Sequence, residues 1–336
     1  MYRNNEQLFT SDVMNFVLNH GALGDVITSL PPIMWARQHY GVALRLKVWG
    51  PSWQHELLDH LLKPYGEFEI LDFEDFPKKG ADRLDWGGGP VAVNQMAFNT
   101  HTRNRVHMVD FAFNCLLDSQ PESMAERNYP TAAPLARPVL SLYDSAAGYV
   151  VFPVGATSNN KLFKAAVMAP VIKWCRDNGY VPVLVGTKTS HTKLDAGGEL
   201  TPIVLRDEVD KLPAELFAEC IDMREKTTLV QLRSLLGHAS AVVGVDGGTL
   251  HLAGTTDTSI VFMSGTTLPK HRYVARHGNP NYKIRYVGPR NLQCAGCQSN
   301  WAMSRFDFTK CVYEDNACMD LLDPEDAIAG LKELGL

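Results

Sequence analysis

The sequence has no excess of positive charge: 32 lysines and arginines stand against 37 aspartates and glutamates, for a net charge of −5. No global basic field therefore announces a nucleic-acid partner, although a local basic groove remains compatible with these totals. The chain also lacks any uninterrupted apolar stretch near the ~18 residues of a membrane-spanning helix. Its first dozen residues are polar, without the basic-then-apolar build of a secretory signal. These absences predict a soluble, cytoplasmic protein with no transmembrane segment. With 45% hydrophobic and 21% charged residues the chain is globular rather than disordered, and 336 residues are enough for two α/β domains.

Apolar runs of strand type alternate with stretches of helical period, the pattern of a parallel α/β architecture. In the first half this predicts strands at 13–18, 44–49 and 67–73, and helices at 27–40, 53–62 and 106–117. Pro130, Pro134 and Pro138 then fall close together, where neither a helix nor a central strand can continue. A domain boundary is expected there. Beyond it come strands at 149–152, 181–185, 241–245 and 260–263, and helices at 164–177, 228–236 and 325–334. Thr228 with Gln231 is a capping-box pair, and Asp323-Pro324 is an N-cap followed by a first-turn proline. The expected fold is α/β, with two Rossmann-like domains (residues 1–135 and 136–336) facing each other across a cleft and a C-terminal helix packing back.

Three loops at predicted strand ends carry candidate chemistry. In Gly21-Ala-Leu-Gly24-Asp25, glycines admit close backbone approach and Asp25 stands at a helix start, where it reads equally well as a cap. A dinucleotide site is disfavoured, because the loop lacks a full G-x-G-x-x-G and the second strand ends without an acid. In Asp246-Gly247-Gly248-Thr249-Leu250-His251, an acid ends a buried strand and two glycines lead straight into a helix, whose first amides suit a diphosphate. The plain alternative makes Asp246 an N-cap and His251 a packed core histidine. In Gly155-Ala-Thr157-Ser-Asn-Asn-Lys161, small polar residues lead to a lysine placed to neutralise a phosphate leaving group.

Two further features sit near the C-terminus. Cys294, Cys297, Cys311 and Cys318 have the spacing C-x2-C-x13-C-x6-C. Reduced buried thiols are the first reading and a structural zinc site the second, since the latter pair is wider than a usual zinc knuckle. The segment 270–277 concentrates Lys270, His271, Arg272, Arg276 and His277, which reads as a solvated loop before it reads as an anion contact.

Taken in order, Gly24-Asp25 through Pro31, Gly155 through Lys161, and Val245-Asp246 through Ala253 resemble the lipopolysaccharide heptosyltransferases, family 9 of the glycosyltransferases. Arg105-Val-His107-Met-Val-Asp110 is similar to that family's arginine- and histidine-bearing helix start. The resemblance implies the GT-B fold and inverting sugar transfer without a divalent metal or other cofactor. The absence of any Asp-x-Asp triplet agrees with that. It implies Asp25 as general base, and Lys161 as the charge that stabilises the departing nucleoside diphosphate. Gly155, Thr157, Gly186, Thr227, Asp246, Gly247, Gly248, Thr249 and His251 are implied at the donor site. Gly24, Arg105 and His107 are implied on the acceptor side, so residues 1–135 become the acceptor-binding domain and 136–336 the nucleotide-sugar domain.

The chain departs from the family's pattern at two donor positions. Gly247 replaces a usual threonine or serine, and Thr187-Lys188 follow Gly186 where the family carries a ribose-holding acid. The expected function is glycosyl transfer from a nucleotide-sugar to the hydroxyl of a surface glycan, or of a modified DNA base. A sugar-nucleotide epimerase and a non-catalytic nucleotide-sugar-binding protein are the alternatives.

Overall fold

The computed structural model describes residues 12–18, 22–41, 44–72, 91–93, 108–117, 129–130, 148–194, 200–268, 283–299, 311, 313 and 315–336. Its contacts divide the chain into two compact units, residues 1–133 with 275–280, and residues 134–274 with 281–336. Arg105, His107 and the basic segment 270–277 lie outside the described residues.

The first unit is built on a four-stranded parallel sheet of β1 (Val13–Val17), β2 (Arg45–Gly50), β3 (Phe68–Asp72) and β4 (Val91–Val93), in the order β3-β2-β1-β4. Every residue of β1 is buried, which explains why its one polar member, Asn15, needs an internal partner. The Trp49 indole on β2 donates to its Oδ1 at 3.1 Å.

The helix predicted at 27–40 is two helices, α1 (Leu23–Thr28) and α2 (Leu30–Tyr40), meeting at Ser29. Pro31 and Pro32 have no N–H with which to bond the carbonyls of Ile27 and Thr28, so the first helix cannot run through. Hydroxyls close its end instead: Thr28 Oγ1 donates to Asp25 O at 2.9 Å and Ser29 Oγ to the same carbonyl at 2.8 Å. α3 (His55–Leu62) buries Leu57, Leu58, Leu61 and Leu62 on one face, and α4 (Met108–Leu117) packs against α2.

The second unit holds β5 (Tyr149–Pro153), α5 (Ala165–Asp177), β6 (Val181–Val185), a hairpin of β7 (Thr189–Leu194) and β8 (Leu200–Val204), α6 (Ala214–Ala218) and β9 (Ile221–Asp222). These are followed by α7 (Leu229–Gly237), β10 (Ala241–Val245), α8 (Gly248–Ala253), β11 (Ser259–Met263), β12 (Ile284–Val287), α9 (Ala317–Asp320) and α10 (Pro324–Glu333). Its six-stranded parallel sheet has the order β12-β11-β10-β5-β6-β9. Counted along the chain within this unit, that is the 3-2-1-4-5-6 order of a complete Rossmann sheet.

Chain direction across the sheet reverses between β5 and β10, and ligands of such sheets bind at that reversal, beyond the carboxyl ends of the strands. The two strands pair only at Ala241 with Val150 and Val242 with Val151, so their carboxyl ends carry no shared ladder. Pro153 contributes to this, having no N–H to donate.

The helix caps follow the sequence. The Thr228 side chain accepts from Gln231 N while Gln231 reaches back to the Thr228 N–H, and the Asp323 side chain accepts from Glu325 N. The C-terminal helix α10 packs against α5, β11 and β12 of its own unit, with Ala327, Ile328 and Leu331 in the core. β4, the β7–β8 hairpin, β9 and β12 were not expected. The hairpin's strands are polar or carry a proline, and β9 is two residues long, so neither offers an apolar alternation to read.

Candidate active site

The loop after β5 begins at Gly155, whose φ of +99° is open to glycine and strained for other residues. A side chain there would stand 3.3 Å from Thr187 O, in the loop that follows β6. Gly186 is tighter still: at φ +150° a Cβ would come within 2.2 Å of Val154 O. The loops after β5 and β6 therefore touch through their glycines. Ala156 extends this by bonding Arg206 main chain to main chain in both directions, at 2.8 and 2.9 Å.

A single 3-10 turn, Asn159–Lys161, then aims Lys161 back across the sheet end. Ser158 Oγ to Asn160 Oδ1 at 2.6 Å and Lys161 N to Ser158 O at 3.1 Å hold that turn. Lys161 Nζ donates to Asp246 Oδ2 at 2.9 Å, across the point where the strand order reverses. His251 Nε2, from α8, lies 3.8 Å from Asp246 Oδ1. Thr267 Oγ1 also donates to Asp246 Oδ2, at 3.2 Å, and its own hydroxyl is 2.6 Å from Ser264 Oγ. Three strand ends, those of β5, β10 and β11, thus converge on one carboxylate.

Asp246 and His251 are buried, at 4% and 3% exposure, whereas the Lys161 side chain is 28% exposed. Lysine is the face this cluster presents to solvent, and the acid stands behind it. Burial works against an ionised Asp246. The Lys161 ammonium, and after it His251, outweigh that penalty and hold the carboxyl well below the usual carboxylate range.

The plain reading of Asp246 as an N-cap does not hold: Gly247 is the N-cap of α8, in extended backbone, and no side chain caps that helix. Gly248 and Thr249 occupy its first turn, half-buried, where amides have no intrahelical acceptor. Thr157 is exposed and Thr227 half-buried. In the first unit, Gly24 and Asp25 lie in the first turn of α1, half-buried; Ala22 is the N-cap and no side-chain cap bond forms there. Asp25 is therefore not the N-cap itself but an acid of the helix's first turn.

Sequence reasoning missed Ser264, Thr267 and Asn160. The signal was available for the first two: they follow the carboxyl end of a strand adjacent to β10, where a parallel sheet places its ligand-facing loops. Asn160 is reached only through the turn that its neighbour Lys161 requires.

The four C-terminal cysteines converge. Cys294, Cys297, Cys311 and Cys318 line one small cavity of about 10 Å³, together with Asn160 and Thr266. All four are free thiols. Burial, with neighbouring thiols as a further cause, raises Cys294 and Cys297 above the ordinary thiol value and pushes Cys318 up to about 12. Among the described residues, no group of three or more metal-ligating side chains stands close enough to hold an ion. The cluster braces the Asp246 site from behind: Gly296 N bonds Gly265 O at 2.9 Å and Gln298 N bonds Thr266 O at 2.8 Å. Gly265 is needed for the close approach of Cys318, because a Cβ there would lie 2.6 Å from that of Cys318.

Among the described residues, no helix is long and apolar enough to cross a membrane. No curated protein matches the chain. Solved structures do match in fold. The dodecameric iron-containing glycosyltransferase TibC of enterotoxigenic E. coli H10407 is similar at 18% identity and a TM-score of 0.67, over 96% of this chain and 76% of that one. The E. coli ADP-heptose lipopolysaccharide heptosyltransferase II is similar at 18% identity and a TM-score of 0.61, over 95% and 99%. E. coli heptosyltransferase WaaC, solved with ADP, gives 14% and 0.57, over 96% and 100%. The common architecture is the GT-B fold of two Rossmann-like domains. The family profile of glycosyltransferase family 9 (heptosyltransferase) covers residues 106–298, more than half of the sequence and the whole of the Lys161–Asp246–His251 cluster, and the protein is a glycosyltransferase of that family.

Proposed function

We propose that this enzyme transfers a sugar from a nucleotide-sugar to an acceptor hydroxyl in the cytoplasm, with inversion and without a catalytic metal. The observation that carries the reading is the Lys161–Asp246 ion pair, set where the Rossmann strand order reverses. Asp246 acts as a positioning residue: it fixes the ammonium of Lys161, whose outward N–H groups meet the donor diphosphate. Amides of Gly248 and Thr249 and the hydroxyl of Thr157 complete the phosphate contacts, with Thr227 and Gly186 toward the nucleoside. The loss of a hydroxyl at Gly247 leaves more of that task to backbone donors.

In the transfer step, Asp25 accepts the proton of the acceptor hydroxyl as its oxygen attacks the anomeric carbon. The bond from that carbon to the diphosphate oxygen breaks, and the leaving oxygen's negative charge develops beside Lys161. Attack opposite the leaving group inverts the anomeric centre. TibC has been solved with ADP-D-β-D-heptose and WaaC with ADP-2-deoxy-2-fluoro heptose, so ADP-heptose is the donor to test first. The acceptor belongs, on this reading, to a surface glycan bound by the first unit, with Gly24, Arg105 and His107 on that side.

A thermal-shift panel of nucleoside diphosphates and their sugars tests the donor assignment, because a ligand that binds only the folded state raises its Tm. A clear rise with ADP or ADP-heptose is expected, and a flat response to the whole panel would refute the donor site. Incubation with donor alone separates transfer from epimerisation: the donor sugar should be recovered unchanged.

A second proposal concerns the thiols. Four cysteines meet at one cavity and TibC is described as iron-containing, so these thiols, drawn closer together than they stand here, would make the donor set of a structural iron or zinc site. Cys294, Cys297, Cys311 and Cys318 would hold such an ion as thiolates, bracing the Ser264–Thr267 loop and leaving the chemistry to Lys161 and Asp25. Elemental analysis of protein purified without chelators should return about one metal per chain, falling in Cys297→Ser. A metal-free wild type with an unchanged Tm in chelator would discard the site and leave reduced thiols.

A further inference from the structure

In a Rossmann sheet the ribose is held by an acid at the end of the second strand, because a carboxylate accepts hydrogen bonds from both sugar hydroxyls. The second strand here is β6, and it runs out into Gly186, Thr187 and Lys188, none of them acidic. An acid nevertheless stands at that place. Glu225, two residues before Thr227 and just past the end of β9, folds back over β6. Its main-chain N–H bonds Gly186 O at 2.9 Å, and its Oε1 accepts from Lys188 N at 3.3 Å.

The backbone at Glu225 has a φ of +59°, a left-handed conformation that glycine or asparagine adopts with less strain. The side chain that occupies it is exposed. Nothing in the core requires a glutamate there. The surrounding loops are those of the donor site: Gly186 touches Val154, and Thr187 touches Gly155, whose loop ends in Lys161. Lys188, whose main-chain N–H donates to the carboxylate, and Arg224, the residue before Glu225, both line an open cavity of about 1050 Å³.

We propose that Glu225 holds the ribose hydroxyls of the donor nucleotide, supplied from the third strand end in place of the missing acid at the second. The proposal rests on the nucleotide-sugar reading above. It makes Glu225 a specificity-determining residue, selecting ribonucleotides over deoxyribonucleotides at a site whose phosphate end is Lys161.

The test is titration calorimetry with ADP and with 2′,3′-dideoxy-ADP, on the wild type, Glu225→Gln and Glu225→Gly. Hydrogen bonds to a charged group predict that the wild type binds ADP about tenfold or more tightly than the dideoxy compound. Glu225→Gln should lose that margin on the ADP side alone, leaving dideoxy-ADP affinity within about twofold. Glu225→Gly relieves the left-handed strain, so its Tm should match or exceed that of the wild type while its ribose preference collapses as well. If both variants keep the wild-type preference, or if the wild type binds the two ligands equally, Glu225 is not the ribose ligand and the nucleotide-sugar reading stands. If the folded wild type binds neither ADP nor UDP, that reading falls and takes this assignment with it.

Discussion

Replacing Lys161 by methionine is expected to lower stability by about 3 kcal/mol, because the Asp246 carboxylate stays buried while its closest cation is gone. His251 and Thr267 remain beside the carboxylate, which places the loss at the lower end of the range for a broken buried pair. The same variant should lose donor affinity, since the outward face of the cluster is the ammonium itself. Denaturant unfolding and calorimetry on one preparation read both effects. A variant as stable as the wild type would show that Asp246 does not depend on this lysine.

The pH dependence follows from the direction of the shift. The folded-state carboxyl of Asp246 titrates below its unfolded value, so its contribution is complete above the unfolded pKa of about 3.9 and fades as pH falls below that. The stability gap between the wild type and Asp246→Asn should therefore be widest at pH 7 and shrink progressively as pH falls below about 4, with part of it still present at pH 3. A gap that is equal at both pH values would contradict the ion pair.

Replacing Asp25 by asparagine should reduce transfer by about a hundredfold or more, in kcat, while donor affinity stays within a factor of two or so. This substitution preserves shape and removes only the capacity to take a proton. Asp25 sits in the first turn of α1, where a carboxylate also favours the helix, so the melting temperature read on the same preparation separates lost chemistry from lost fold. Single-turnover kinetics with saturating donor and acceptor measures the effect. Transfer within a few-fold of wild type would remove Asp25 from the mechanism.

Much of this was legible from local chemistry. The strand at 241–245 is a short apolar run closed by an acid and two glycines, and it appears with those bounds as β10. Thr228 with Gln231, and Asp323 with Pro324, mark helix starts that the structure reproduces bond for bond. Where a local rule was overlooked the expectation failed, as at Pro31 and Pro32, whose missing N–H groups divide one helix into two. The β7–β8 hairpin was illegible for a different reason: its order comes from pairing with a partner strand, which no single segment's periodicity reports.

Among the candidate residues, the types and their order along the chain were enough to name Lys161, Asp246 and His251. What each does relative to the others was not. Lys161 and Asp246 are 85 positions apart and meet only because β5 and β10 are neighbours in the sheet.

Short-range patterns in the chain determined which segments become strands, where helices begin, and which loops are rich enough in glycine to face a ligand, since these depend on a residue and its nearest neighbours. Strand order, the burial of Asp246 behind Lys161, the gathering of four thiols and the return of Glu225 over β6 were decided by folding alone. Each is a contact between distant segments, and its energy exists only once the sheet has brought them together.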